Sequence, residues 1–371
     1  MARLGDICTV VSGTTPKTGN PEYWDGDINW ITPAEITEDT TVIYESVRKI
    51  TDEGVASCGL SPIPAGTVIL SSRAPIGKTA IAGVEMYCNQ GFKNLICSDV
   101  VFNKYLFWYL RGHTDYLNSL GRGATFKEIS KAIVENIDIP LPDLPTQRHI
   151  AAVLDKVSDL MAQCKQQLAD LDLLVKSRFV EMFGDPMTNP KGYPVHQLAD
   201  YILFLTSGSR GWAKYYSDEG EWFITIKNVK NCQISLDDVQ CINPPHNAEA
   251  ERTRLQEGDL LISITADLGR TGVVTKEIAE HGAYNNQHLT SIRLNRDVLN
   301  PLYVAFFMES EAGKRQFEAK NMSAVKAGLN FDSIRTLQLI VPPLEFQEEF
   351  VSFVAQADKS KFAVQQTLAN L

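Results

Sequence analysis

Two similar sets of amide and basic side chains occur along this chain, and their chemistry suits the reading of nucleic-acid bases. Asn89-Gln90-Gly91-Phe92-Lys93 corresponds to Asn286-Gln287-His288, and the segment from Arg73 to Lys78 corresponds to Thr265 to Arg270. An Asn or Gln side chain can form two hydrogen bonds with adenine, and Arg or Lys can bind guanine. The same amides could instead satisfy buried backbone groups, so both interpretations stay open for each residue.

A phosphate-binding loop is one alternative for the basic segment. Gly77-Lys78-Thr79 matches the end of the GxxxxGK[ST] motif, but Ser72 stands where the first glycine is required. The second copy reads Gly269-Arg270-Thr271, which lacks the lysine of the motif. The turn therefore belongs to a repeated fold, and we do not predict a nucleotide site.

No residue pattern in the chain predicts catalysis or metal binding. The six histidines show no HxH or HExxH spacing, and no GxSxG motif occurs. Asn243-Pro244-Pro245-His246 resembles the Asn-Pro-Pro-aromatic motif of amino-methyltransferases, but His246 replaces the aromatic residue and no Gly-rich turn for a methyl donor is found. We expect a proline-stiffened loop here, and no catalytic residue, metal or cofactor in this chain.

The elements that position these residues occur twice. Residues 142–147 recur at 342–347, residues 65–71 correspond to 257–263, and Leu4-Gly5-Asp6 corresponds to Leu198-Ala199-Asp200. Small changes in loop length explain the drift in spacing. The chain therefore reads as two copies of one domain, each ending in the same kind of helix.

Length and composition fit two soluble globular domains. The 371 residues are 44% hydrophobic and 22% charged, and no segment approaches 18 uninterrupted apolar residues. The N-terminus lacks the apolar stretch of a signal peptide, so we expect a cytoplasmic protein. Seven cysteines without a CxxC pair favour reduced thiols.

The net charge of −10 is unusual for a nucleic-acid binder. Basic residues nevertheless cluster at 121–127 and at 313–326, so an acidic protein could carry a basic cleft. Charge alone favours a protein-binding module over a DNA binder.

Two long helices follow the two copies. Apolar residues from Ile150 recur at heptad a and d positions with an additional stripe, and Gly184-Asp185-Pro186 ends the pattern. About 38 residues would extend roughly 57 Å at 1.5 Å per residue. A helix of this length needs a partner, and its own copy is the obvious one. The residues predicted to pair are Ile150, Val153, Val157, Leu160 and Leu171 in the first helix and Phe350, Phe353, Ala357 and Val364 in the second.

The globular halves read as α+β. A turn followed by a buried strand is predicted at 66–72 and again at 258–263, and residues 137–141 alternate as an edge strand. Aromatic-rich helical spacing occurs at 102–111 and 302–308. We predict two similar mixed-sheet domains separated by two long helices that pack as an antiparallel coiled coil.

These features together resemble the specificity subunits of type I restriction-modification systems. The resemblance rests on Ser12-Gly13-Thr14-Thr15-Pro16-Lys17, on residues 20–30, on the helix entry at 139–147 and on residues 178–186. With the duplication, it covers the whole chain. The final helix is short for this family, and Tyr215-Tyr216-Ser217-Asp218 to Trp222 replaces the Tyr-Trp-x-Gly signature in the second half, which implies that two half-sites differ.

The resemblance implies target-recognition domains at 1–145 and 196–343, a central helix at 146–183, a linker at 184–195 and a distal helix at 344–371. Each domain would read one half of a split site in double-stranded DNA. The helices would act as a spacer and dock two DNA methyltransferase subunits, with restriction (motor-nuclease) subunits added for cleavage. Bound methyltransferases could supply much of the phosphate-binding surface, which would reconcile the acidic charge with DNA binding.

The candidates for DNA contact combine the repeated loops with nearby basic residues. They are Thr15, Lys17, Arg73, Lys78, Asn89, Gln90, Lys93, Arg122, Thr125 and Lys127 in the first half, and Arg210, Lys214, Lys227, Arg270, Asn286, Gln287, His288 and Lys326 in the second. The alternative from another class is a scaffold or inhibitor that pairs with a methyltransferase through the helices and binds no DNA.

Overall fold

The structure, a computed structural model, describes residues 1–123, 127–321 and 328–371. Contacts divide the chain into a first unit, Met1–Ala162, and a second unit, Gln163–Leu371. One long helix, Leu144–Phe183, crosses the boundary between the two.

The first unit combines short strands with helices. Its strands are β1 (Ala2–Arg3), β2 (Cys8–Ser12), β3 (Trp24–Ile31), β4 (Val42–Ile43), β5 (Lys49–Ile50), β6 (Val68–Leu70), β7 (Thr79–Ala82), β8 (Tyr87–Cys88), β9 (Lys93–Cys97) and β10 (Asp138–Ile139). Its helices are α1 (Leu4–Ile7), α2 (Asp52–Ser57), α3 (Asn103–Gly112), α4 (Thr114–Ser119), α5 (Lys131–Glu135) and the first part of α6 (Leu144–Phe183).

Two mixed sheets form the frame of the first unit. The larger has the order β2-β9-β6-β7-β4, in which only the β4–β7 pair is parallel. The smaller has the order β5-β3-β8, with β3 and β8 parallel. The main core lies where α3 buries Leu106 and Leu110 with Val68 and Leu95 of the larger sheet. The sheet is thereby covered on one face by α3.

The second unit repeats this plan. Its strands are β11 (Val195–Gln197), β12 (Ile202–Ser207), β13 (Tyr216–Ser217), β14 (Glu221–Ile224), β15 (Val229–Lys230), β16 (Gln233–Ile234), β17 (Gln240–Ile242), β18 (Leu260–Ser263), β19 (Thr271–Val273), β20 (Ala283–Asn285), β21 (Leu289–Leu294) and β22 (Gln338–Ile340). Its helices are the rest of α6, α7 (Ala248–Thr253), α8 (Lys276–His281), α9 (Pro301–Glu309), α10 (Glu311–Lys320), α11 (Phe331–Arg335) and α12 (Leu344–Ala369).

Equivalent strand pairs show the duplication in three dimensions. The antiparallel sheet β12-β21-β18-β19 corresponds to β2-β9-β6-β7, and the parallel pair β14–β20 corresponds to β3–β8. The β1–β10 pair that precedes α6 likewise recurs as β11–β22 before α12. The α+β class and the two mixed-sheet domains predicted from the sequence are therefore confirmed.

A buried glutamine fixes the start of each long helix to its own unit. Gln147 Oε1 accepts a hydrogen bond from Phe102 N (2.8 Å), and its Nε2 donates to the carbonyl oxygens of Val100 (3.0 Å) and Pro142 (2.8 Å). Gln347 makes the same three bonds, to Asn300 N (2.9 Å), Val298 O (3.0 Å) and Pro342 O (2.8 Å). Both side chains are fully buried, so their polar atoms depend on these partners.

The C-terminal end of α6 packs antiparallel to α12 within the second unit. Arg178 Nη2 donates a hydrogen bond to Glu349 Oε1 (2.8 Å). Asp172 lies earlier in α6 and its Oδ1 pairs with Nζ of Lys361, which lies later in α12 (2.6 Å). Phe179 forms an edge contact with Phe350, with ring centroids 5.3 Å apart. The predicted packing of the two long helices on each other is thus confirmed.

A lysine and a glycine end α6 at the linker. Gly184 adopts a left-handed φ of 80°, as a residue just past a helix commonly does, and Lys191 Nζ donates to the carbonyl oxygens of Glu181 (2.7 Å) and Met182 (2.8 Å).

Among the helices of the described residues, none has the length and apolar character to cross a membrane.

Candidate nucleic-acid interface

The turn after β8 lies at the centre of the candidate interface in the first unit. Asn89 N donates to the Ile31 carbonyl at the end of β3 (3.1 Å), and Asn89 Oδ1 accepts from Gly91 N (2.9 Å). Gln90, in contrast, is exposed. Burial raises the pKa of the Cys88 thiol just before this turn to about 12, so the thiol stays protonated at neutral pH and is a poor nucleophile.

The loop that follows β2 lies directly against this turn. A Cβ on Gly13 would lie 2.0 Å from the carbonyl oxygen of Asn89, so only glycine permits the close approach. Thr15 Oγ1 donates to Gln90 Oε1. Lys17 is exposed two residues further on. The structure therefore brings Thr15 together with the Asn89-Gln90 turn.

The β6–β7 hairpin contributes the third loop. Ser71 Oγ donates to Pro75 O (2.7 Å) and accepts from Lys78 N (2.8 Å), which closes the loop on itself. Lys78 Nζ donates to the carbonyl oxygen of Pro33 (3.0 Å). Because this loop joins two antiparallel strands, it lacks the strand-to-helix geometry of a phosphate-binding loop.

A single carboxylate links two of the predicted cations. Glu128 Oε2 lies 3.8 Å from Arg73 Nη1, and Glu128 Oε1 lies 3.2 Å from Lys93 Nζ. Lys93 also donates to Ser72 Oγ (3.3 Å), and only 7% of this lysine is exposed. One acidic group against two basic groups leaves a local excess of positive charge, which attracts phosphate.

The second unit positions its loops with the same backbone contacts. A Cβ on Gly208 would lie 2.2 Å from the carbonyl oxygen of Asn286, which matches the close approach of Gly13 to Asn89 O in the first unit. Asn286 N donates to Ile224 O (3.0 Å), and Ser263 Oγ accepts from Arg270 N (2.8 Å), as in the turn at Asn89 and the hairpin at Ser71. One scaffold therefore presents both sets of candidate side chains.

The side chains on this shared scaffold differ between the units. Thr265 Oγ1 and His288 Nδ1 lie 2.7 Å apart, and Arg270 Nε donates to Asp267 Oδ2 (2.6 Å). Thr290 occupies the strand position that Lys93 has in the first unit. The two surfaces thus present different hydrogen-bonding groups.

The predicted DNA contacts differ in exposure. Exposed residues are Lys17, Gln90, Arg122, Lys127, Arg210, Lys214 and Lys227, and half-buried ones are Thr15, Arg73, Lys78, Asn89, Arg270, Asn286, Gln287 and His288. Of the candidates that the structure describes, Lys93 alone is buried. The Lys214 amine lies 4.9 Å from the ring centroid of Tyr215, in the 3-10 turn Trp212–Tyr215. Thr125 and Lys326 lie outside the described residues.

The sequence of the chain matches a known protein family. A sequence profile described as the type I restriction modification DNA specificity domain matches residues 1–170 and 223–371. The chain belongs to this family. The resemblance recognised from the sequence is thereby confirmed.

Individual members of the family resemble this chain to different extents. The type I restriction enzyme MjaIX specificity subunit of Methanocaldococcus jannaschii is 35% identical over 247 residues, which are 61% of this chain and 57% of that protein. The S subunit of a type I system from M. genitalium superposes with a TM-score of 0.58 at 12% identity, covering 99% of this chain and 91% of that one. A chain solved in work on complex assembly and conformational transition of a type I system has a TM-score of 0.63 at 21% identity, covering 100% and 92%. These two structures support the fold alone.

The predicted helix-pairing residues occupy varied environments in the structure. Phe350 and Ala357 are buried with Phe179 and Phe183 of α6, and Phe353 packs against that cluster. Ile150 packs on the core of the first unit. Val153 and Leu160 are 48% and 37% exposed, and Val157, Leu171 and Val364 are half-buried.

Sequence reasoning missed several residues that hold the site together. Glu128 follows a basic segment and carries no local sign that it pairs with Arg73 and Lys93. The aromatic cluster around Phe179 and Phe183 was missed as well, although a spacing of four residues places both rings on one helix face. The serine that closes each hairpin could have been found, because it is repeated at Ser71 and Ser263.

Proposed function

We propose that this chain is the sequence-reading subunit of a type I restriction-modification complex and performs no catalysis itself. Residues 1–145 and 196–343 each read one half of a bipartite site in double-stranded DNA. The main observation in support is the repeated loop scaffold, which has the same backbone hydrogen bonds in both units but different polar side chains. Such an arrangement suits two half-sites of different sequence.

Reading is assigned to the exposed and half-buried side chains of the repeated loops. Gln90 and Gln287 carry both donor and acceptor groups that can pair with base edges in the major groove. Lys17 and Lys127 are exposed cations suited to phosphate. Lys93 forms an ion pair with Glu128, so we assign it to support of the loop rather than to contact with DNA.

Membership of the family supports the partners that we propose. Two DNA methyltransferase subunits would dock along the helices and modify adenine within the site, and restriction subunits would join the complete complex. The helices would set the distance between the two recognition domains. A complex that reads genomic DNA would act in the cytoplasm of its host cell.

A scaffold or inhibitor that binds a methyltransferase but no DNA is the second candidate, and the net charge of −10 favours it. A DNA-binding selection with a random duplex library, run with and without the methyltransferase across a salt series, separates the two. Enrichment of a split sequence by the complex, with affinity falling as salt rises, supports the reading subunit. A complex that enriches no sequence at any salt concentration supports the scaffold.

A further inference from the structure

The loop after β2 is supported from within the first unit by two tryptophans of β3. Trp30 Nε1 donates to the carbonyl oxygen of Thr14 (3.1 Å), and Trp24 Nε1 donates to that of Lys17 (3.4 Å). Thr15, a candidate for base contact, lies between these two attachment points. Its backbone path is thus defined on both sides by indole N–H groups.

The two indoles form a rigid platform. Their rings meet edge to face with centroids 5.0 Å apart and an angle of 82°. Trp24 and Trp30 are 7% and 2% exposed and share a core cluster with Ile50 and Leu60. The guanidinium of Arg48 lies 3.7 Å from the ring centroid of Trp24. Because an indole N–H is only a donor, each buried tryptophan depends on a carbonyl partner, and the loop carbonyls fill that role.

The same strand also fixes the neighbouring turn. Trp30 and Ile31 pair with β8, and Ile31 O accepts from Asn89 N. β3 therefore sets the position of Thr15 and of the Asn89-Gln90 turn relative to each other. A base contact made jointly by Thr15 and Gln90 needs this relative position held within fractions of an ångström.

The second unit supports its corresponding loop by a different arrangement of aromatic residues. Phe223 occupies the strand position of Trp30, as its pairing with Tyr284 matches the pairing of Trp30 with Tyr87, and a phenyl ring has no donor. There the loop inserts its own Trp212, which is 3% exposed and packs on Phe223 with ring centroids 6.1 Å apart. Indole support of the loop through Trp30 is thus a feature of the first recognition surface.

We propose that Trp24 and Trp30 are positioning residues for reading of the first half-site, acting through the N–H groups that hold the loop at Thr14 to Lys17. This inference rests on the proposed function. Neither indole needs to touch DNA. Their N–H groups would determine which base edges Thr15 and Gln90 can reach together.

Trp30→Phe tests the proposal because it keeps an aromatic ring and removes the donor. The full chain, bound to its methyltransferase, selects sites from a library randomised in both half-sites. We expect discrimination at one or more positions of the first half-site to fall roughly tenfold, a change within the usual range for one base contact, with the second half-site unchanged. Trp108→Phe is the matched control, since it removes an indole bond to Asp155 Oδ1 (2.8 Å) in the same unit but away from the loop.

Four results would overturn the inference. Wild-type discrimination in Trp30→Phe, or an equal loss in Trp108→Phe, would mean that the indole bond contributes only to stability. A wild-type complex with no preference for any sequence would instead overturn the proposed function and this inference with it. If Trp30→Phe fails to fold, Trp24→Phe removes the longer of the two bonds, and unaltered selectivity in that variant would equally contradict the proposal.

Discussion

Replacing Gln147 with leucine should destabilise the first unit, because the side chain is fully buried and makes three hydrogen bonds. Leucine has a similar volume but offers no polar atom. The N–H of Phe102 and the carbonyls of Val100 and Pro142 would lose their partner. A net contribution of about 1 kcal/mol per bond gives a loss of about 3 kcal/mol, and unsatisfied groups that water cannot reach would raise it.

A loss of this size is easily measured. The free energy of unfolding of globular domains is roughly 5–15 kcal/mol, so a loss of about 3 kcal/mol is a large fraction of it. For a unit of this size, such a loss lowers the melting temperature by about 6–12 °C. Urea and thermal unfolding of the full chain would report it. Gln347→Leu should repeat the effect in the second unit, where the same three bonds occur.

Gln166→Leu is the matched control for both variants. Gln166 lies on the same helix as Gln147, is exposed, and donates a hydrogen bond from Nε2 to Oδ1 of the nearby Asp170 (2.8 Å). We expect the free energy of unfolding of the Gln166→Leu variant to stay within about 0.5 kcal/mol of wild type. If Gln147→Leu and Gln347→Leu also stayed within that range, the account of the helix anchors would be refuted.

Other predictions concern DNA reading. Gln90→Ala should weaken selection of the first half-site by roughly 1–3 kcal/mol and Gln287→Ala that of the second, as judged by competition binding with single-base variants; equal effects on both halves would contradict modular reading. Lys127→Ala should reduce affinity and its salt dependence without changing sequence preference, and altered preference would argue against a phosphate contact. Inserting four residues into both long helices adds roughly 6 Å and should lengthen the unread spacer by one or two base pairs; an unchanged spacer in a folded, active variant would mean that the methyltransferases set the distance.

Periodic patterns made the framework of the fold predictable. The aromatic spacing at 102–111 and 302–308 corresponds to α3 and α9, and the glycine-led apolar runs correspond to β6 and β18. The long helix ends at Phe183, just before Gly184. Each of these signals is local, so the sequence alone carries it.

Long-range partners were beyond the reach of sequence patterns. Gln147 binds residues about 45 positions earlier in the chain, and Trp30 binds the loop at Thr14 across a strand and a turn. The pairing of Lys93 with Glu128 likewise joins residues brought together only by the fold. Loop residues could be identified as candidates from their chemistry, but their supporting contacts depend on tertiary packing.

The most direct test of two-domain reading is a map of methylated adenines in the genome of a strain that carries this chain. The same map is made after residues 1–145 are replaced by the corresponding segment of another family member. The account predicts a bipartite motif in the first map and a change in one half alone in the second. A motif without a split, or a simultaneous change in both halves, would contradict it.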